Sequence, residues 1–103
     1  MARRKLKTIP PVHPGETVRE DILKPLGLSV NRLAMELHVP ATRVSEIVKG
    51  RRSITADTAL RLARYLGTSA QFWLNLQLKY DLERAKDDLA GRIEQEVRPR
   101  RAA

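Results

Sequence analysis

Between Ser29 and Gly50 the chain reads SVNRLAMELHVPATRVSEIVKG, and this stretch decides the fold. Its apolar residues fall at helical spacing, twice over. Val30, Leu33, Ala34 and Leu37 form one stripe behind Ser29, a good N-cap. Val44, Ile47 and Val48 form another behind Pro40, at a helix start that tolerates a missing N–H, and Gly50 ends this second helix. The short turn around His38-Val39-Pro40 joins them. Small Ala34 lies where the two axes must cross closely, so that Leu33 and Leu37 meet Val44 and Ile47.

That is the spacing of a helix-turn-helix, in which the second helix enters the major groove of DNA. The outward positions of this helix are Thr42, Arg43, Ser45, Glu46 and Lys49. They are polar, donor-rich and mostly short enough to reach base edges. The charge pattern agrees. The chain carries 20 Lys+Arg against 12 Asp+Glu, a formal net charge of +8. Much of the excess lies at the ends, in Arg3, Arg4, Lys5 and Lys7 and in Arg98, Arg100 and Arg101, which leaves a nearly neutral body. Within the body, residues 41–66 hold Arg43, Lys49, Arg51, Arg52, Arg61 and Arg64 but only two acids, Glu46 and Asp57. Residues 79–97 are richer in acids than in bases. A basic middle and a more acidic late helix imply a polyanion-binding face on one side only.

Outward from the motif the helical reading continues. Ahead of it, after the stiff Pro10-Pro11-Val12-His13-Pro14, a short helix is predicted from Gly15 to Leu23 or Lys24, with Pro25 stopping it. Behind it, Thr55 is read as the cap of a helix through Leu66, with Asp57 in the first turn and Gly67 closing it. Ser69 then opens the longest helix, reaching Leu89 and fraying toward Val97. The predicted fold is all-α: a compact five-helix domain with a long C-terminal helix. Residues 1–10 read as a basic flexible arm, 11–89 as the helix-turn-helix domain with a dimerisation helix, and 90–103 as a frayed end and basic tail.

The last helix carries more apolar surface than one small body needs. Leu74, Leu78, Leu82, Ala85 and Leu89 form one stripe; Phe72, Trp73, Leu76 and Tyr80 form a second. Either both wrap the same core or one faces another chain. A homodimer suits the DNA reading, since a two-fold pair presents two recognition helices one helical turn apart.

Other chemistries are excluded or unsupported. With 103 residues the chain makes one domain of ordinary globular composition, 42% hydrophobic. It has no Cys, which removes disulfides, thiolate metal sites and Cys nucleophiles together. No apolar run is long enough to span a membrane, and no apolar h-region follows Met1-Ala2-Arg3-Arg4-Lys5, so a cytoplasmic protein is expected. His13 and His38 lack the companions of a metal site, and His13 is read as capping or packing the first helix. No serine has a visible base and orienter, and no Gly-rich phosphate loop exists. Neither catalysis nor a cofactor is expected.

Leu33-Ala34, Val44-Ser45-Glu46-Ile47 and Gly50 together resemble the Cro/C1 class of helix-turn-helix proteins. The flanks narrow the likeness. Pro11-Val12-His13-Pro14-Gly15-Glu16, Val39-Pro40-Ala41-Thr42-Arg43, residues Gly50 to Ala59 and Phe72-Trp73-Leu74 are similar to the HigA-type antitoxins of bacterial toxin–antitoxin modules. His38 departs from the broad class, where many members place Gly, although His tolerates a positive φ better than most residues. The resemblance implies a small dimeric repressor that binds a palindromic operator in double-stranded DNA at its own operon. It also implies a partner toxin of the RelE-like ribonuclease type. The alternative is a stand-alone Cro/C1-type regulator without a toxin. By the same resemblance Ala41, Thr42, Ser45 and Glu46 take the base-reading places, with Arg43 beside them. Arg43 suits either a guanine edge or a phosphate, and Glu46 either a cytosine amino group or the orientation of Arg43 or Arg51. Lys49, Arg51 and Arg52 are expected on phosphates. Arg61 and Arg64 are read as ordinary exposed charges, and the Arg3–Lys7 arm as either groove-seeking or loose.

Overall fold

The computed structural model describes residues 9–101, and the architecture among them is five helices with no strand. The first, α1, is continuous through residues 14–26 but not uniform. A turn of α-helix at Pro14–Thr17 widens into a π-helical stretch at Val18–Leu23 and tightens again at Lys24–Leu26. Then come α2 (Val30–Leu37), α3 (Ala41–Val48), α4 (Ala56–Leu66) and α5 (Ala70–Glu96).

Two local expectations are corrected. Pro25 does not stop α1, because it falls in the first turn of the segment that follows the π-helical stretch, where a missing N–H is tolerated. The helix ends instead at Gly27, in the left-handed conformation with φ 64°. Thr55 sits at the N-cap of α4, but its side chain makes no cap hydrogen bond. Ser29 and Ser69 do cap: their hydroxyls accept from the N–H groups of Arg32 and Phe72, each at 3.0 Å.

Three helices end the same way. After α1, α2 and α3 the chain enters the left-handed region at Gly27, His38 and Gly50, and two N–H groups turn back onto open carbonyls. At the end of α2 the Val39 N–H reaches the Ala34 carbonyl at 3.0 Å and the His38 N–H reaches that of Met35 at 3.2 Å. His38, at φ 58°, does with a side chain what glycine does at the other two sites.

The core lies where α1, α2, α3 and α4 meet the first turns of α5. Val18, Leu33, Leu37, Val44, Ile47, Ile54, Leu62 and Trp73 are buried in it. Ala34, also buried, lies on the face of α2 that packs on α3 and α4. Trp73 is wholly covered, and its indole N–H donates to the Thr68 hydroxyl at 2.9 Å, so the ring is buried without an orphan donor.

The opening of α1 explains the residues His13 to Gly15. The His13 Nδ1 accepts from the Gly15 N–H at 2.8 Å and caps the helix, and Pro14 fills the first helical position. Gly15 lies against the backbone of α3. A Cβ built there would sit 1.7 Å from the Ile47 carbonyl oxygen, so no side chain fits. The start of α1 is thereby seated on the helix that carries the predicted base contacts.

The far end of α5 is different in kind. At 27 residues the helix is about 40 Å long by the usual rise. It runs past Leu89 to Glu96, and every residue from Arg84 to Glu96 is exposed. The predicted basic arm falls almost entirely outside the described residues.

Candidate nucleic-acid interface

In α3 the burial pattern separates two faces. Val44 and Ile47 are buried; Ala41, Thr42 and Lys49 are exposed, and Arg43, Ser45 and Glu46 are partly so. Ala41, Ser45 and Lys49 succeed one another at steps of four, with Thr42 and Glu46 alongside. The residues read from the sequence as base-facing thus share a solvent-facing surface. Arg51 and Arg52 follow it, exposed, in the loop to α4.

The charged side chains within this surface are tied to one another. The Arg43 guanidinium donates to the Asp57 carboxylate on α4 at 2.6 Å, which leaves the Arg43 side chain only 27% exposed. The same carboxylate accepts from Arg61 Nε at 3.1 Å. With Arg43 first and Arg61 second as donors, the Asp57 carboxyl is held below its ordinary pKa. Glu46 pairs with Arg52, at 2.6 Å, rather than with Arg43 or Arg51. Lys49 and Arg51 make no ion pair among the described residues.

Arg61 has a role that the sequence reading missed. Its guanidinium also donates to the Leu37 carbonyl at 2.9 Å, with His38 at 3.4 Å, where α2 leaves its last carbonyls open. Arg19 does the same for α3, donating to the Val48 carbonyl at 3.2 Å. Both helices of the motif therefore have an arginine from elsewhere in the chain at their C-terminal ends, where positive charge suits the helix dipole. The spacing of Asp57 and Arg61, four apart on a helix, was a visible signal for their pairing. Nothing local pointed to Leu37, 24 residues away.

The loop beyond α3 is fixed by Gln77 of α5. Its side-chain oxygen accepts from the Ile54 N–H at 2.7 Å, and its amide donates to Asp81 at 2.9 Å and Ser53 at 3.3 Å. Gln77 is buried, so this is a satisfied polar anchor. Among the described residues no group of His, Asp and Glu could hold a metal ion, and no helix is long and apolar enough to cross a membrane.

Residues 20–73 match the helix-turn-helix family, more than half of the chain. A solved addiction-module antidote protein of the HigA family from Coxiella burnetii superposes with a TM-score of 0.84 and 48% identity, over 89% of this chain and 100% of that one. The chain belongs to the HigA-type helix-turn-helix family. Another HigA-type relative, the Pseudomonas aeruginosa antitoxin HigA solved with the higBA promoter, shares 46% identity and a TM-score of 0.84, over 86% of this chain and 97% of its own. Virulence-associated protein I of Dichelobacter nodosus is 58% identical over 80 residues, 78% of this chain and 74% of that protein. The first turn of α1 lies before residue 20, so the seating of Gly15 on α3 adds to the part matched by the general helix-turn-helix family.

Of the residues read as a dimer seam, Leu74 is partly buried against its own core, while Leu78, Leu82, Ala85 and Leu89 are exposed. Trp73 is the core residue of the other stripe, with Leu76 packed beside it. The two stripes do not wrap one core. Ile93, four residues beyond Leu89 and 49% exposed, continues the outward stripe and was not read from the sequence.

Proposed function

We propose that this protein is a sequence-specific DNA-binding antitoxin that represses its own operon and neutralises a RelE-like ribonuclease toxin. One observation carries the reading: the outward face of α3 is exposed and polar while its inner face is locked in the core, on a fold shared with an antitoxin solved with promoter DNA. In this reading Ala41, Thr42 and Ser45 reach base edges, the first two offering methyl groups to thymine. Lys49 and Arg51, with no carboxylate partner among the described residues, meet phosphates, as does Arg52 beside them. Arg43 approaches a base edge from its anchor on Asp57.

The outward stripe of Leu78, Leu82, Ala85, Leu89 and Ile93 supports pairing with a second copy. A two-fold dimer would set two α3 helices about 34 Å apart on a palindromic operator. The test is co-expression with the neighbouring open reading frame, followed by binding of the purified material to the intervening promoter. The reading expects a stable complex, relief of growth arrest and a shifted promoter fragment. Promoter binding with no captured neighbour and no rescue would make the protein a stand-alone regulator.

A further inference from the structure

The two carboxylates inside the basic face have no obvious place on a surface built for phosphates. Each costs local positive charge, and each is close to the α3 surface rather than behind it. Asp57 takes Arg43 at 2.6 Å and Arg61 at 3.1 Å, and Glu46 takes Arg52 at 2.6 Å. These are not remote helix charges. Arg43, Arg52, Asp57, Ser53, Thr55 and Thr58 line one open cleft between α3 and the start of α4.

The arrangement constrains each arginine differently from Lys49 and Arg51. An unpaired arginine beside the groove attracts any phosphate, whatever the sequence, and adds to nonspecific binding. An arginine already satisfied by a carboxylate gains less from a stray phosphate, because the ion pair must be surrendered for it. It keeps its remaining N–H groups for a partner placed at the right point. Asp57 also holds Arg61, and Arg61 holds the end of α2, so the Arg43 guanidinium is referred to the backbone of the motif.

We infer that Asp57 is a specificity-determining residue: it holds Arg43 off non-cognate phosphates and fixes the direction from which that arginine meets DNA. The inference rests on the DNA-binding reading above and deepens it. Specificity is a difference between two affinities, and a carboxylate that weakens the wrong complex more than the right one raises it.

The experiment uses the full chain, a promoter fragment and a scrambled duplex of equal length, each titrated at several salt concentrations. Asp57→Asn keeps the shape and removes the charge. It is expected to raise affinity for scrambled DNA several-fold, to steepen the salt slope by about one unit for the arginine released, and to reduce promoter-over-scrambled discrimination about tenfold. Asp57→Glu, which keeps the charge, should restore the wild-type slope, an outcome that a merely structural role would not produce. If Asp57→Asn fails to fold, as judged by its thermal melt, Asp57→Ser is measured for the same slope and the same loss of discrimination. Wild-type discrimination retained with an unchanged slope in the folded variant overturns the inference and leaves the DNA-binding reading standing. No promoter binding by the wild-type protein defeats that reading itself.

Discussion

The two halves of α5 are one unbroken helix under opposite conditions. From Ala70 to Gln77 the helix is part of the body: Trp73 is fully covered, Leu74 and Leu76 pack beside it, and Gln77 fastens the loop that follows α3. From Leu78 onward no residue is buried, and the apolar ones face solvent: Leu78 is 64% exposed, Leu82 53% and Leu89 39%. Exposed pairs four apart, such as Lys79–Glu83 and Arg92–Glu96, give this second half a few tenths of a kcal/mol each. That is little for a projecting helix whose leucines lie exposed among the described residues. The first half is explained by its own fold, and the second, in the proposed reading, by pairing with a second copy.

The contrast can be broken from either side. Trp73→Ala removes the largest buried side chain and should cost about 3–5 kcal/mol, read as a lowered urea midpoint. A loss below about 1 kcal/mol would mean that the ring is peripheral to the fold. Replacing Leu78 and Leu82 together by Lys should instead leave the body folded and abolish association. Light scattering is expected to give about twice the 11.7 kDa chain mass for the wild type and the single-chain mass for the variant. A wild-type monomer that binds a palindrome tightly would end the dimer argument.

A smaller effect sharpens the contrast at the edge of the body. His13 packs edge-on against Tyr80 with ring centroids 4.8 Å apart, and burial pulls its pKa below 6.5, outweighing the opposing pull of Asp81 and the Arg52 backbone. The unfolded chain therefore takes up the proton more readily than the folded one. The contribution of His13 is fully present above about pH 6.5 and is lost as pH falls through that value toward the folded pKa. Melting temperature should accordingly fall between pH 7.5 and 5.5, and the fall should be smaller in His13→Asn, which keeps an N-cap and cannot titrate. An identical fall in both would place the proton elsewhere. Least of all should follow from deleting residues 98–103, since Arg98 to Arg101 lie outside the helix and are exposed. The melting temperature should not move, and DNA binding should weaken only through lost charge.

What could be read from the sequence was whatever is written at short range. Ser29, Ser69 and Gly67 mark helix ends by local chemistry, and the α2–α3 stripes follow from spacing alone. Pro25 misled because a π-helical stretch upstream is a backbone adjustment with no sequence rule of its own. The candidate surface was legible as a set of outward positions on α3, but not as a network. Arg43 meets Asp57 across 14 residues, Arg19 reaches Val48 across 29, and Gln77 reaches Ile54 across 23. Contacts of that reach depend on how helices are stacked. A lone Gln in a leucine-rich run looks like a surface residue until the loop it anchors is in place.

The seating of Gly15 against the Ile47 carbonyl has a consequence for how such proteins diverge. The C-terminal end of α3 is gripped through Gly15 on Ile47, through Arg19 on Val48 and through the turn at Gly50, and none of these grips touches Ala41, Thr42 or Ser45. The frame and the lettering are thus separate inheritances. If the proposed base contacts hold, substitutions at those three outward positions would alter the address without disturbing the page on which it is written, and one foldable scaffold could serve different operators.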